Sequence, residues 1–270
     1  MKKVLTIAGS DCSGGAGIQA DIKTFLALGV YGMSVITSVI AENTVRVIGR
    51  QDITPELISA QLDAVFEDIG ADAVKIGMLP TASCMLAVAD KLKKYKPPNI
   101  VIDPVMVSTS GTDLMESDAI DIFIRSILPL SALITPNIPE AETLTGRKIL
   151  STNDMEQAAE MIHKKGARAV LIKGGHLTGD ALDILFDGVK FTYFRTERIH
   201  TQNTHGTGCT LSSAIAANLS LGYEMPEAVR RAKEYLTLAI KNSLSIGKGH
   251  GPTSHFSNLY HDGITEGVVK

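Results

Sequence analysis

Cysteine is scarce in this chain, where Cys12, Cys84 and Cys209 are the only three among 270 residues. Odd in number and widely spaced, they exclude a disulfide framework and a structural zinc cluster and fit a reducing cytoplasm. An excess of one charge is also missing. The formal net charge is −3, with no long run of either sign, so composition gives no support for binding nucleic acid or a membrane surface. No apolar run approaches the length of a membrane span. Two lysines precede a short apolar run at Met1-Lys2-Lys3-Val4-Leu5-Thr6-Ile7-Ala8-Gly9, but Asp11 arrives too soon for a signal peptide. The segment reads as a first β-strand.

Several signatures are absent too. Without G-x-x-x-x-G-K-S/T the chain is not a P-loop protein, and without G-x-S-x-G the simplest hydrolase reading falls away. Gly15-Ala16-Gly17-Ile18-Gln19-Ala20 satisfies G-x-G-x-x-A, yet six residues separate it from the strand before it. A dinucleotide-binding fingerprint makes that turn itself, so NAD is not the expected ligand. His250 and His255 have no cysteine or carboxylate at metal-ligand spacing and read as a solvated loop.

What the chain does have is alternation. Hydrophobic residues make up 44% and charged residues 20%, the profile of a soluble globular protein with ample core. Strands are expected at 4–8, 34–41, 73–76, 100–102, 132–135 and 169–172, with helices near 18–28, 55–69, 82–94, 118–126 and 229–240 and one more that carries Met155, Ala158, Ala159 and Ile162 at helical spacing and stops at Gly166. Thr54-Pro55 supplies an N-cap and a proline at the first helical position. Ile58, Leu62, Val65, Phe66 and Ile69 then follow at helical spacing. Asp183–Phe186 and Phe191–Phe194, joined through Asp187-Gly188, read as a β-hairpin. Strands alternating with helices imply a three-layer α/β/α unit around a mostly parallel sheet. No break marks a second domain, so one unit over 1–270 is expected, with no periodicity in the tail from about 257.

In an open parallel sheet, ligands bind beyond the carboxyl ends of the strands. Collected there are Ser10-Asp11, Glu42-Asn43, Met78, Asp103, Asn137, Glu140, Lys173 and the turn Gly206-Thr207-Gly208-Cys209. The turn opens into a small-residue helix, whose start gathers unpaired N–H donors and the positive end of the macrodipole. It is either an anion hole or simply a tightly packed helix start. Cys209 sits where a thiol can acquire thiolate character. Asp103, Asn137 and Glu140 suit Mg²⁺ held mostly through water, and Lys173 suits phosphate. The set points to phosphoryl transfer, which runs on positioning and charge stabilisation.

Gly9-Ser10-Asp11, Ser13 through Asp21, Lys75-Ile76-Gly77-Met78-Leu79, Asp103-Pro104-Val105-Met106, Thr135-Pro136-Asn137 through Glu140, Lys173-Gly174-Gly175-His176 and Asn203 through Thr210 carry a family resemblance. The chain resembles the hydroxymethylpyrimidine/phosphomethylpyrimidine kinases of thiamine biosynthesis, in the ribokinase-like superfamily, over roughly 5–255. The resemblance implies ATP and Mg²⁺ dependence, a cytoplasmic homodimer, and two successive phosphorylations of 4-amino-5-hydroxymethyl-2-methylpyrimidine. It places Gly9, Asp11, Glu42, Met78 and Val105 at the pyrimidine, and Asn137, Lys173 and Thr207 at the nucleotide. Asp103 and Glu140 fall near the metal. Cys209, on the Gly206-Thr207-Gly208 turn, falls where sugar kinases of the superfamily carry an aspartate base.

A related branch phosphorylates pyridoxal and carries a lid cysteine after the Asp-Pro-Val-Met motif. Here Val107-Ser108-Thr109-Ser110-Gly111-Thr112 has none, which favours the pyrimidine. The segment 108–113 is expected to form a flap over the phosphates. A non-catalytic pyrimidine-binding module on the same fold is the remaining alternative, because fold alone does not fix function.

Overall fold

A computed structural model of the chain describes residues 1–107, 111, 114–116, 119–175 and 181–257. Its strands are β1 (Lys3–Asp11), β2 (Tyr31–Glu42), β3 (Val47–Asp52), β4 (Ala73–Ile76), β5 (Ile100–Ile102), β6 (Leu133–Ile134), β7 (Val170–Lys173), β8 (Ala181–Phe186) and β9 (Phe191–Thr196). They form one sheet in the order β3-β2-β1-β4-β5-β6-β7-β8-β9. The central neighbours from β2 to β7 run parallel, while β3, β8 and β9 are antiparallel. All parallel strands therefore deliver their carboxyl ends to one edge.

The helices are α1 (Gly17–Ala27), α2 (Pro55–Asp68), α3 (Ala82–Tyr95), α4 (Ala119–Ile122), α5 (Ile138–Thr145), α6 (Thr152–Lys164), α7 (Thr207–Ser220) and α8 (Met225–Lys241). Alternate strand residues feed opposite faces, as the pleat requires. Leu5, Ile7, Val74, Ile76, Ile100, Ile102, Ile134, Val170 and Ile172 join side chains of α2 to α6 in one core. Val4, Ala73, Val101, Leu133, Ala169 and Leu171 join α1, α7 and α8 in the other. The expected three layers follow. Each fully buried large side chain, such as Phe25 or Leu62, contributes roughly 1.5–3 kcal/mol by leaving water.

Local signals act as read. Thr54 accepts from the Leu57 N–H and Pro55 sits at the first position of α2, a cap worth about 1 kcal/mol. Met155, Ala158, Ala159 and Ile162 form the buried stripe of α6. Asp187 Oδ1 accepts from the Val189 and Lys190 amides in the β8–β9 turn.

Three expectations need correction. Strand β3 was not anticipated: Asn43, grouped with the strand-end residues, instead turns the chain, its Oδ1 accepting from the Val45 and Arg46 amides. The helix expected near 118–126 is a single α-turn that widens into a π-turn at Phe123–Ile127 and closes as a 3₁₀ turn at Leu128–Leu130. Pro129 explains it, because its ring cannot sit over the carbonyl four residues back in a regular α-helix. Finally, His255 is not in a solvated loop. It is 3% exposed, with Nε2 facing the Thr210 hydroxyl at 3.1 Å, whereas His250 is exposed.

Burial of His255, with Lys23 adding a repulsive charge, pushes its imidazole down to about 4. The unfolded chain takes up that proton first, so this group's contribution is complete above about 6.5 and is lost as pH falls towards 4. By pH 4 the loss is about 3 kcal/mol. His255→Asn is expected to flatten stability across that window, read by urea unfolding at pH 7 and pH 4.5.

Candidate active site

The edge of carboxyl-terminal strand ends begins with Asp11. This side chain is 1% exposed and gathers the glycine-rich loop around itself. It accepts from the Ser13, Gly15 and Ala16 amides and the Ser13 hydroxyl at 2.7–3.0 Å. His205 Nε2 lies 2.9 Å from the same carboxylate. Burial opposes a charge here, but the bonds from His205, Ser13 and Ala16 outweigh it and hold the carboxyl at about 2. Asp11 is a clamp that ties the glycine-rich loop to His205.

A small third apolar cluster consists of the buried Ile40, Met78 and Leu114, with Val47 and Val105 packed against it. Gly9 packs on it, since a Cβ there would lie 3.2 Å from Ile40 Cδ1 and 3.3 Å from Met78 Sδ. The Thr37 hydroxyl donates to the Met78 carbonyl at 2.8 Å, and Arg50 of β3 donates to the Leu114 carbonyl at 3.1 Å. Glu42, the last residue of β2, lies two residues beyond Ile40. Burial and the Asp11 charge push its carboxyl up to about 7. Gly9, Met78 and Val105 are thus brought together at one apolar cluster, and Glu42 at the end of the same β2 strand stands beside Asp11 and His205.

The turn Gly206-Thr207-Gly208-Cys209 follows His205 directly. Gly206 caps α7 with φ of 78° and no side-chain bond. A Cβ at this position would drive into the carbonyl of Gly15, so only glycine permits the close approach of the two loops. The Thr207 amide returns to the Thr204 carbonyl at 3.3 Å, so it does not point outward as expected. From Thr210 to Ser220 the helix is wholly buried, so its free start faces the strand ends. Gly208 backs onto the Asp103 carboxylate and Lys173 ammonium.

Cys209 departs from the sequence expectation of thiolate character. Burial pushes its thiol up to about 11, against the pull of the Lys75 charge and a bond from the Gly17 amide. At neutral pH it rests as a thiol. Beneath it lies a fully buried ion pair, Lys75 Nζ to Asp21 at 2.8 Å. Asp21 also accepts from the Thr6 hydroxyl at 2.6 Å and the Ser213 hydroxyl at 2.7 Å. Burial disfavours the Lys75 cation, but Asp21, Cys209 and Asp103 outweigh it and raise its affinity for the proton.

The remaining acids gather around Lys173. Its Nζ lies 2.7 Å from Asp103 Oδ1, which also accepts from the Thr135 hydroxyl at 3.3 Å. Asn137 and Glu140 form a capping box at the start of α5, with bonds of 2.9 and 2.8 Å. Asn137 pairs with Lys173 in an isolated parallel bridge. Burial pushes Glu140 up to about 7, with Lys173 pulling down and Asp103 pushing up. Two buried acids at one strand edge, one of them reluctant to ionise, form a donor set that suits a small hard cation with phosphate oxygens.

Sequence reasoning missed the parts of the site that act through other residues. Lys75, Asp21 and Ser213 looked like ordinary motif or core positions. A lysine inside a continuous β4 run, Ala73-Val74-Lys75-Ile76, was the available signal, since a buried lysine demands a partner. His205 gave no signal beyond its place in the turn. The expected flap over 108–113, apart from Gly111, and His176 lie outside the described residues.

The comparisons agree with this geometry. The family profile described as phosphomethylpyrimidine kinase matches residues 11–254. The hydroxymethylpyrimidine/phosphomethylpyrimidine kinase of Rhizobium meliloti is 50% identical over 262 residues, covering 96% of this chain and 98% of the relative. The thiamine biosynthesis bifunctional protein of Geobacter sulfurreducens is 51% identical over 93% of this chain, which spans only 52% of that longer relative. A phosphomethylpyrimidine kinase structure from Clostridium difficile superposes with a TM-score of 0.81 at 49% identity, covering 89% of this chain and 100% of that one. An ADP complex of Bacillus subtilis pyridoxal kinase superposes with a TM-score of 0.89 at 41% identity, covering 96% and 99%. With the matched profile spanning the strand-end site from Asp11 to beyond Cys209, the chain belongs to the phosphomethylpyrimidine kinase family.

Proposed function

We propose that this chain transfers a phosphoryl group from ATP to the hydroxymethyl group of 4-amino-5-hydroxymethyl-2-methylpyrimidine. It then phosphorylates the monophosphate to the diphosphate, as a step in thiamine biosynthesis. The observation that carries this reading is Glu42 at the end of β2, two residues beyond Ile40 of the apolar cluster and close to Asp11 and His205, the pair that leads to the start of α7. The apolar cluster suits an aromatic ring, and a carboxyl group matches the amino edge of a 4-aminopyrimidine. The relatives' names support the same substrate.

The roles follow from placement. The first turn of α7 receives the transferring phosphoryl group on its amides and dipole. Lys173 holds positive charge beside it, and Asn137 fixes the loop from which Lys173 approaches. Asp103 and Glu140 are the residues that would hold Mg²⁺, which when bound supplies charge neutralisation on the phosphates. Cys209 takes the hydroxyl proton of the first acceptor. The accepting form is the thiolate, the Cys209 proton having first passed to solvent; in a loose transition state the hydroxyl proton leaves late, so the small ionised fraction is adequate. The reading treats 1–270 as a single kinase unit working as a cytoplasmic homodimer. No described helix is long and apolar enough to cross a membrane.

Phosphorylation of pyridoxal is the second reading, favoured by the likeness to the Bacillus subtilis pyridoxal kinase. The segment Val107–Thr112 lacks the cysteine that branch carries. Release of ADP with the pyrimidine and with pyridoxal, compared as kcat/KM, tests the choice. The pyrimidine is expected to lead by at least about tenfold. A lead for pyridoxal would reverse the assignment, and silence with both alcohols would favour a binding module.

A further inference from the structure

Asp11, Glu42 and His205 present ligand atoms that all lie within 4.8 Å of one another. Such a cluster invites a metal, but the Asp11 carboxylate already accepts from two donors of Ser13, two amides and His205. Oδ2 takes four of these donors, and Oδ1 accepts from the Ser13 amide. The remaining arrangement is two carboxyl groups side by side, with oxygens of Glu42 and Asp11 within 4.8 Å of each other. Two carboxylates this close repel, which favours a proton on one of them. Asp11 is already bound to five donors, so the proton belongs to Glu42.

We propose that the Asp11–His205 pair is a positioning device that presents Glu42 to the substrate as a neutral acid. Its carbonyl oxygen then accepts from the exocyclic amine while its hydroxyl donates to the adjacent ring nitrogen. Two groups set the balance. Asp11, from β1, favours the proton on Glu42 by its charge, while the His205 cation, from the loop before α7, opposes it. The Cys12 thiol donates to the main-chain carbonyl of Glu42, at 3.2 Å. Burial disfavours the His205 cation, but its bond to Asp11 and the charges of Asp11 and Glu42 outweigh that and raise it. The cluster is therefore neutral overall, and an uncharged pyrimidine enters without gaining or losing a proton. This inference rests on the reading that the amino edge of the pyrimidine lies against Glu42.

The test is the pH profile of kcat/KM for the pyrimidine on the full chain between pH 6 and 9. Its ratio to the profile of Glu42→Gln, which cancels the rise expected from the Cys209 thiolate, should be flat at low pH and fall above about 7, by roughly tenfold per unit at the alkaline end. Glu42→Gln carries a donor and an acceptor in the same places, so it should stay within about tenfold of the original at pH 7 and lose the fall altogether. Both proteins share any titration of the substrate itself, so their difference isolates Glu42. His205→Gln should shift the fall to higher pH by about one unit, because it removes an opposing positive charge. A merely structural role for His205 would lower the whole curve without moving its midpoint, and that result would overturn the inference. So would a loss of more than about a hundredfold in Glu42→Gln at pH 7, the mark of a required carboxylate. An unchanged pyrimidine KM in Glu42→Ala would instead remove Glu42 from the pocket and take the underlying reading with it.

Discussion

Cys209→Ala is expected to lower turnover of the hydroxymethyl substrate by roughly 10²- to 10⁴-fold, the usual contribution of a positioned general base. KM for ATP should change by no more than about twofold, because the thiol meets the acceptor and not the nucleotide. Two further signatures separate this from a packing defect. The Cys209 thiol stands at about 11, so only about one molecule in 10⁴ carries the thiolate at neutral pH. If that form takes the proton, turnover limited by chemistry rises with pH in the original protein and flattens in the variant. The second phosphorylation should also be largely spared. Its acceptor is a phosphate oxygen, mostly ionised near neutrality, with no proton to surrender. Equal losses in both steps would assign Cys209 to the shape of the anion hole alone.

Lys75→Met should give the largest loss of stability. The ammonium and the Asp21 carboxylate are both fully buried, and removing one leaves the other without compensation, at a cost of about 3–5 kcal/mol. Adding Asp21→Asn should return part of that loss, since no lone charge then remains inside. Urea unfolding of the single and double variants measures both. A single variant within about 1 kcal/mol of the original would mean that water or rearrangement reaches Asp21. The Lys75 charge also pulls the Cys209 thiol down, so turnover corrected for the folded fraction should fall in the single variant.

How much of this was legible in the sequence depends on the range of the interaction. Thr54-Pro55 and the stripe of Met155, Ala158, Ala159 and Ile162 act within one helix, and both were readable. The parallel sheet was readable because each apolar run needed two covered faces. Strand β3 was not, for Val47–Asp52 is exposed or half-buried along its length and lacks the alternation that marks a strand. The candidate site split along the same line. Glu42, Met78, Lys173 and the Gly206 turn stand at strand ends and helix starts, where residue type alone suggests chemistry. The pairing of Asp11 with His205 spans 194 positions, and that of Asp21 with Ser213 spans 192. No local pattern encodes either. The resting state of Cys209 was misjudged for a related reason: position on a helix start favours a thiolate, but burial, a tertiary property, outweighs it.

The contact between Gly206 and the carbonyl of Gly15 also bears on how the protein is made. The sheet grows largely by adding neighbours in chain order, from β4 through β9, with modest loops to close. The site instead needs the beginning of the chain to meet a turn nearly 200 residues later, and closing such a loop carries an entropic cost that only the finished core can offset. A chain emerging from synthesis can therefore form most of its sheet before the turn at Gly206 meets the loop at Gly15. The two ends of the proposed site come together only once α7 has been made.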